Sequence, residues 1–429
     1  MIGIVGGGLT GLTLAYELGK RGIDHTVLEA ADRPGGVIRS ARIEGRVLDF
    51  GPQRGRMTPR VADLIAALRI EREVVYASDG LPLFVYADGA LREAAFSVEG
   101  LLRGGLLSWR GKLRLLAEPL TASPRTEEDV ATLFRRKLGR EAYERLAGPL
   151  YGGLYGSDPA DMLVGLSLAP LLRELGVGRS FLLSLARRRA SAAPAAAFSF
   201  GEGMQRLPEA LHARCRENVR LGSRVLGLMR RSGGWVLEME KGTLDAETVV
   251  LTCDSGAAAL LLERIDPESA ARLRRLACND LAVVPLFAPD ARLRGLGYQV
   301  ALGENLATRG VTWNDSLFGG REGVFTAFLG GATQRAALDE PDDRVGETAV
   351  SEFRRVTGHD AEVLAVARTV MPAWDVSWRA LEGFQPPQGI RVAANWRRRP
   401  GIPGRLAEAA ALADELARGY VSSMEGTGA

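Results

Sequence analysis

At 429 residues, 46% hydrophobic and 25% charged, the chain is long enough for two or three units with sizeable cores and too apolar for disorder. A net charge of +3 gives no electrostatic case for nucleic acid, and nearly all the positive charge is arginine, since only Lys20, Lys112, Lys137 and Lys241 are lysine. Cys215, Cys253 and Cys278 form no CxxC pair, and His25, His212 and His359 are scattered, so neither a disulfide framework nor a metal site is expected.

The N-terminus has no basic leader, and no apolar run reaches the roughly 20 residues that span a bilayer. A cytoplasmic protein is expected, monomer or homodimer, with peripheral membrane contact left open. Ile2–Val5 reads as a short buried strand, followed by a glycine turn, a helix over Leu9–Lys20 and a second strand over residues 25–29. That is the size of one βαβ unit. Apolar spacing at Val61, Leu64, Ile65 and Leu68 predicts a helix. Residues 83–91 predict a hairpin turning at Asp88-Gly89. From residue 98 to 189 the pattern is mainly helical. Thr126 with Asp129 resembles a capping box for a helix carrying Val130, Leu133, Phe134 and Leu138, which Gly139 ends. A further helix carries Tyr143, Leu146, Ala147 and Leu150 and breaks at Gly152-Gly153.

Residues 190–197 read as a linker. A helix over 204–216 and strand-like runs at 220–228, 235–240 and 248–253 follow, with Ser232-Gly233-Gly234 as a hairpin turn. Further strands are expected between 281 and 329, a helix over 343–356, and an alanine-rich helix over 405–418. The fold class is α/β: a discontinuous Rossmann-like domain, a mixed-sheet domain and a helical subdomain.

The first turn holds the cofactor signal. Gly6, Gly8 and Gly11 form GxGxxG directly after a strand. These glycines permit the tight turn, the approach of backbone to a pyrophosphate, and close helix–strand packing. The free N–H groups of the first helix turn, with Leu9 and Thr10, suit phosphate. Glu29 ends the second strand, where a carboxylate accepts from ribose hydroxyls, with Ala30 beside it. Arg33-Pro34-Gly35-Gly36 follows at once, and its paired glycines and Arg39 suit a flavin pyrophosphate.

GGGLTGLTLAYEL, LEAADRPGGVIRS, DFGPQRGR, the helical block 126–159, FSFGEGMQRLPEAL at 198–211 and GVTWNDSLFGGR at 310–321 together resemble the protoporphyrinogen oxidases, FAD enzymes of the amine-oxidase superfamily. The resemblance covers most of the chain. It implies noncovalent FAD, a flavin domain from residues 1–80, 198–265 and 388–429, a helical substrate- or membrane-facing subdomain over 81–197, and a substrate domain over 266–387. It further implies FAD contacts from Gly51, Pro52, Gln53, Val225, Asn395, Trp396, Ile402 and Pro403. The implied reaction takes hydride from a porphyrinogen (protoporphyrinogen IX or coproporphyrinogen III) to the flavin, with reoxidation by O2. No side-chain base is evident.

Candidate carboxylate holders are Arg54, Arg56, Arg397, Arg398 and Arg399; at least one of the last three faces the substrate, or the three form a solvated loop at the domain edge. Trp374, Trp378 and Trp396 are candidate pocket aromatics. Two departures stand out. Proline or leucine occupies 82–83, where many members carry an arginine, and the 397–399 arginines intrude into the C-terminal block, with Glu408 about one position late. An amine oxidase is disfavoured, because no lysine follows Lys241 and no cysteine follows Cys278. A carotenoid-type desaturase and a flavin-binding protein without turnover remain open.

Overall fold

The computed structural model describes residues 1–429 except 96, 175, 189–194, 399–400 and 427–429. Five short strands form a parallel sheet in the order Val219–Arg220, His25–Leu28, Ile2–Val5, Thr248–Leu251, Ile390–Val392. The three central strands are buried throughout apart from half-buried Thr248, as expected for a parallel sheet covered on both faces. One cover is the helix Leu9–Lys20. The C-terminal helix Ile402–Gly426 lies against it, and Ile402 and Leu406 share a core with Leu9 and Leu12. This sheet gathers strands from three stretches of chain far apart in sequence.

An antiparallel meander, Val225–Arg231, Gly234–Met239 and Thr243–Ala246, interrupts the return to that sheet. The strand expected over 220–228 is therefore two strands in two sheets. Gly222, at φ +60°, makes the turn between them. The second large sheet runs Glu362–Val363, Cys278–Phe287, Val324–Gly330, Thr308–Thr312, Gly297–Val300, Leu83–Ala87, Ala90–Ala94, with Ala367–Pro372 also paired to Cys278–Phe287. Asp342–Thr357 covers one face through Val345, Ala349 and Phe353, which pack with Phe325, Ala327 and Leu329. The hairpin at Asp88-Gly89 forms as its sequence predicts.

Residues 98–188 are mainly helical. The helix Val130–Leu138 is capped by Asp129, which accepts from the Thr132 N–H at 2.7 Å. Thr126 is not the cap: its carbonyl is engaged by the Gly165 N–H at 2.9 Å. The next helix runs through a π-helical stretch, Tyr143–Ala147, and ends at Gly153. A fully buried ion pair, Lys137 with Glu118 at 2.9 Å, staples this subdomain. Its groups are shared with Thr121, the Arg179 carbonyl, Ser180 and the Phe181 N–H. Most of the linker expected at 190–197 lies outside the described residues, and Ala197 already opens the strand Ala197–Phe200. Among the described residues, no helix is long and apolar enough to cross a membrane.

Candidate active site

The glycine turn is dictated by contact. Gly6 sits at φ +113°, and a Cβ on Gly11 would lie 2.0 Å from the Gly6 carbonyl. The Thr252 hydroxyl, at the end of the neighbouring strand, donates to the Val5 and Gly6 carbonyls, both at 2.9 Å. Gly8 begins the helix with no side-chain cap, and the space where its Cβ would stand is open. The Gly35-Gly36 turn lies directly against it. The Gly35 N–H donates to the Gly7 carbonyl at 2.9 Å, and a Cβ on Gly36 would come within 3.3 Å of the Gly8 Cα. The two glycine motifs, separate in sequence, thus form one cradle at an open helix N-terminus, which suits a pyrophosphate.

Glu29 accepts from the Gly7 N–H at 2.5 Å and the Ala31 N–H at 2.8 Å. Its carboxylate is therefore fixed beside the cradle, and Ala30 is exposed next to it. Arg33 turns inward and bonds the Gly36 carbonyl at 2.9 Å, bracing the turn. Arg39 is exposed, with its guanidinium 5.1 Å from the Phe50 ring. The Ser223 N–H donates to the Glu29 carbonyl, which brings the start of Val225–Arg231, and so Val225, to this end. A dinucleotide with an ADP half fits these residues.

Residues 49–53 lead from the cradle to the second sheet. A Cβ on Gly51 would lie 2.2 Å from the Val37 carbonyl, so backbone passes backbone there, with Pro52 next. The Gln53 amide is buried. It donates to the Asp49 carbonyl at 2.7 Å and accepts from Asn314 at 2.9 Å and Thr326 at 3.2 Å. Sequence reading missed both partners, which lie 261 and 273 residues away. Asn314 falls within the GVTWNDSLFGGR block, the only signal that could have marked it.

Asp49 is also buried, accepting from Ser40 and from the Met204 N–H at 2.8 Å, with Arg321 at 3.8 Å. Burial raises its carboxyl above the usual range, against the pull of those donors and of Arg321.

The C-terminal block stacks aromatic rings at the ends of the parallel strands. Trp396 donates to the Cys253 carbonyl at 3.0 Å and, through its own carbonyl, accepts from Trp378 at 2.9 Å. Trp374 stacks on Trp378 at 5.3 Å. Its backbone is at φ +53°, a conformation a bulky residue rarely adopts, and its buried indole N–H has no partner among the described residues. Asn395 is half-buried beside Trp396. Gly401, at φ +132° with nothing near its Cβ position, precedes Ile402 and Pro403 at the N-terminus of the last helix. Burial pushes the Cys253 thiol up to about 12, so it stays neutral.

The arginines part company. Arg397 is exposed, 5.6 Å from the Phe384 ring, and Arg398 reaches Glu408 at 3.7 Å. Arg399 lies outside the described residues. The two described members of the run thus keep to the protein's own groups. Glu408 pairs with Arg405 at 2.7 Å in the interior, where burial raises its carboxyl. Arg54 and Arg56 sit at the edge of the strand Gly55–Arg56. Gly55 is pressed against the Phe198 ring, so the two arginines project to the other side.

Residues 9–407 match the flavin containing amine oxidoreductase family. The chain is 28% identical over 395 residues to the chloroplastic protoporphyrinogen oxidase 1 of Spinacia oleracea, covering 82% of this chain and 70% of that protein. It is 29% identical over 376 residues to the coproporphyrinogen III oxidase of Mycobacterium leprae, covering 82% of each. A solved structure from Exiguobacterium sp. 255-15, provisionally named a protoporphyrinogen oxidase, superposes with a TM-score of 0.80 at 22% identity, over 97% of this chain and 98% of that one. With the cradle at Gly6–Gly11 and the match along nearly its whole length, the chain belongs to the flavin containing amine oxidoreductase family and is an FAD-dependent oxidoreductase.

Proposed function

We propose that the chain oxidises a porphyrinogen to the corresponding porphyrin, in heme biosynthesis. The similarity to protoporphyrinogen and coproporphyrinogen III oxidases along 82% of the chain carries this reading. Trp374, Trp378 and Trp396, the aromatics expected of a pocket, instead pack in the main core: Trp374 stacks on Trp378, and Trp396 meets the Phe384 ring edge-on. The conversion removes six electrons, so FAD, when bound, would accept two in each of three rounds and be regenerated by one O2 each time. The protein's own share is to hold the cofactor and present the macrocycle. Gly8, Gly36 and the first turn of Leu9–Lys20 are assigned to the pyrophosphate, and Glu29 to the ribose. Gln53, locked by Asn314 and Thr326, joins the cofactor side to the substrate sheet.

The test is anaerobic mixing of FAD-loaded protein with coproporphyrinogen III and with protoporphyrinogen IX, following flavin bleaching. Bleaching by either supports the reading. A fully loaded protein that neither substrate bleaches is no porphyrinogen oxidase.

For partners, we propose peripheral contact with an anionic lipid surface. Trp109, Leu113, Leu116 and Leu120 recur at spacings of four, three and four along the helix Trp109–Leu116 and its continuation, and are 66%, 58%, 46% and 83% exposed. Arg110, exposed, and Lys112, half-buried, lie on the same helix beside this stripe. Apolar side chains in one row with a basic margin suit the headgroup boundary.

A further inference from the structure

The Gln53 amide is fully spent. Its Nε2 donates to the Asp49 carbonyl at 2.7 Å and to the Gly51 carbonyl at 3.1 Å, so it ties residues 49–53 into one turn. The tie holds only while the amide keeps its orientation, because a flipped amide sets its oxygen against two carbonyls. That orientation is fixed from outside the turn. The Gln53 Oε1 accepts from the Asn314 Nδ2 at 2.9 Å. The Thr326 hydroxyl donates to the Asn314 Oδ1 at 2.9 Å and lies 3.2 Å from the same Gln53 oxygen. All three side chains are buried, where an unmade hydrogen bond costs more than in water, so the three groups act as one unit.

Asn314 and Thr326 belong to the large sheet. Thr326 is on Val324–Gly330, and Asn314 is on the connection from Thr308–Thr312 to that strand. The connection is held against residues outside its own sheet at two further points. The Ser78 N–H donates to the Leu317 carbonyl at 3.0 Å, and Arg321 donates to the Phe200 carbonyl at 3.1 Å. On its other side the 49–53 turn leans on the residues that follow Gly35-Gly36. The Phe50 N–H donates to the Arg39 carbonyl at 2.8 Å, and Gly51 is pressed against the Val37 carbonyl. A continuous series of contacts thus runs from the large sheet, through Gln53, to the edge of the cradle. Glu29 and the glycine turns suit the ribose and pyrophosphate. The flavin half is what they leave over, and residues 49–53 are where the cradle leads toward the large sheet.

We propose that Asn314 and Thr326 are positioning residues for the flavin half of FAD. Neither needs to touch the cofactor. By fixing the Gln53 amide they preset the 49–53 turn, and a preset turn spares FAD the cost of ordering it on binding. The assignment holds whichever substrate the enzyme takes.

The test compares FAD with ADP, which fills the cradle alone. Full-length apoprotein is titrated with FAD by flavin fluorescence quenching, and ADP is titrated as its competitor. Thr326→Val keeps the β-branched shape and removes the hydroxyl, and Asn314→Leu removes both polar atoms. FAD affinity is expected to fall about threefold in the first and about tenfold or more in the second, with ADP affinity unchanged. The visible band of the bound flavin is expected to shift in both variants, and Thr326→Ser is expected to restore the parent values. Far-UV circular dichroism establishes folding. Should Asn314→Leu not fold, Thr326→Val, which adds no cavity, decides alone. Equal weakening of FAD and ADP marks a merely structural role and overturns the proposal. FAD affinity and a flavin spectrum equal to the parent's in the folded variants overturn it as well. A parent in which ADP does not compete with FAD also overturns it, because the ADP half then sits outside the cradle.

Discussion

Replacing Glu29 should uncouple FAD binding from the fold. Its carboxylate holds two backbone N–H groups, from Gly7 at 2.5 Å and Ala31 at 2.8 Å, and so stands preset where ribose hydroxyls arrive. A hydrogen bond to a charged group contributes about 1.5–3 kcal/mol. Loss of one such bond to the ribose weakens binding by roughly ten- to 150-fold, since about 1.4 kcal/mol is a factor of ten. Glu29→Ala removes the acceptor and also the brace on Gly7, so it should fall in the upper half of that range. Glu29→Gln keeps one acceptor oxygen but no charge, and should fall near the lower end. Apoprotein prepared by acid treatment and titrated with FAD, read by flavin fluorescence quenching, gives both dissociation constants. If Glu29→Ala binds FAD as tightly as the parent, the carboxylate serves only the turn, and the ribose assignment is wrong.

Other outcomes follow from the same geometry. Lys137→Met leaves Glu118 buried without its cation and should cost about 3–5 kcal/mol, seen as early loss of helical far-UV circular dichroism in urea; adding Glu118→Gln should restore much of it. A Leu113→Glu, Leu120→Glu protein should lose sedimentation with phosphatidylserine vesicles while keeping its FAD; undiminished sedimentation would place the lipid contact elsewhere. Asp49 has a folded pKa above its ordinary 3.8, so its contribution to stability is fully present below that value and declines as pH rises through the folded pKa. Asp49→Asn, which does not titrate, should therefore improve relative to the parent as pH climbs from about 4 in denaturation curves; a pH-independent difference would show that the carboxyl is not shifted upward.

What the sequence revealed was the part that backbone contact enforces. Gly6, Gly11, Gly35 and Gly36 were readable because a side chain at Gly11 would strike the Gly6 carbonyl and one at Gly36 would crowd Gly8. The helix at residues 61–68 and the Asp88-Gly89 hairpin were readable for a similar reason, since period and turn chemistry are local. Long-range pairings carried no such mark. Nothing near Gln53 announces Asn314 or Thr326, and nothing in the run ATRGV announces that Arg309 occupies a bulge. Thr126 looked like a cap because Asp129 follows three residues on, but the carbonyl of Thr126 was claimed by Gly165 and Asp129 did the capping itself. The Arg397–Arg399 run drew notice by composition, yet its two described members turn to Phe384 and Glu408, partners that local sequence does not announce.

The order of strands in the parallel sheet has a consequence for how the protein is made. Ile2–Val5 leaves the ribosome first, and His25–Leu28 follows soon after on one side, but the neighbour on its other side is Thr248–Leu251. At roughly 5–20 residues per second, that edge stays open for about 12–50 s, and the sheet is incomplete until Ile390–Val392 has been added. Throughout this time an apolar, unpaired strand edge is exposed on a nascent chain. The Thr252 hydroxyl that secures the glycine turn belongs to the late segment as well, so the FAD cradle is completed only when that segment arrives. Yield of this protein in a foreign host should therefore depend on chaperone capacity and translation speed more than on flavin supply.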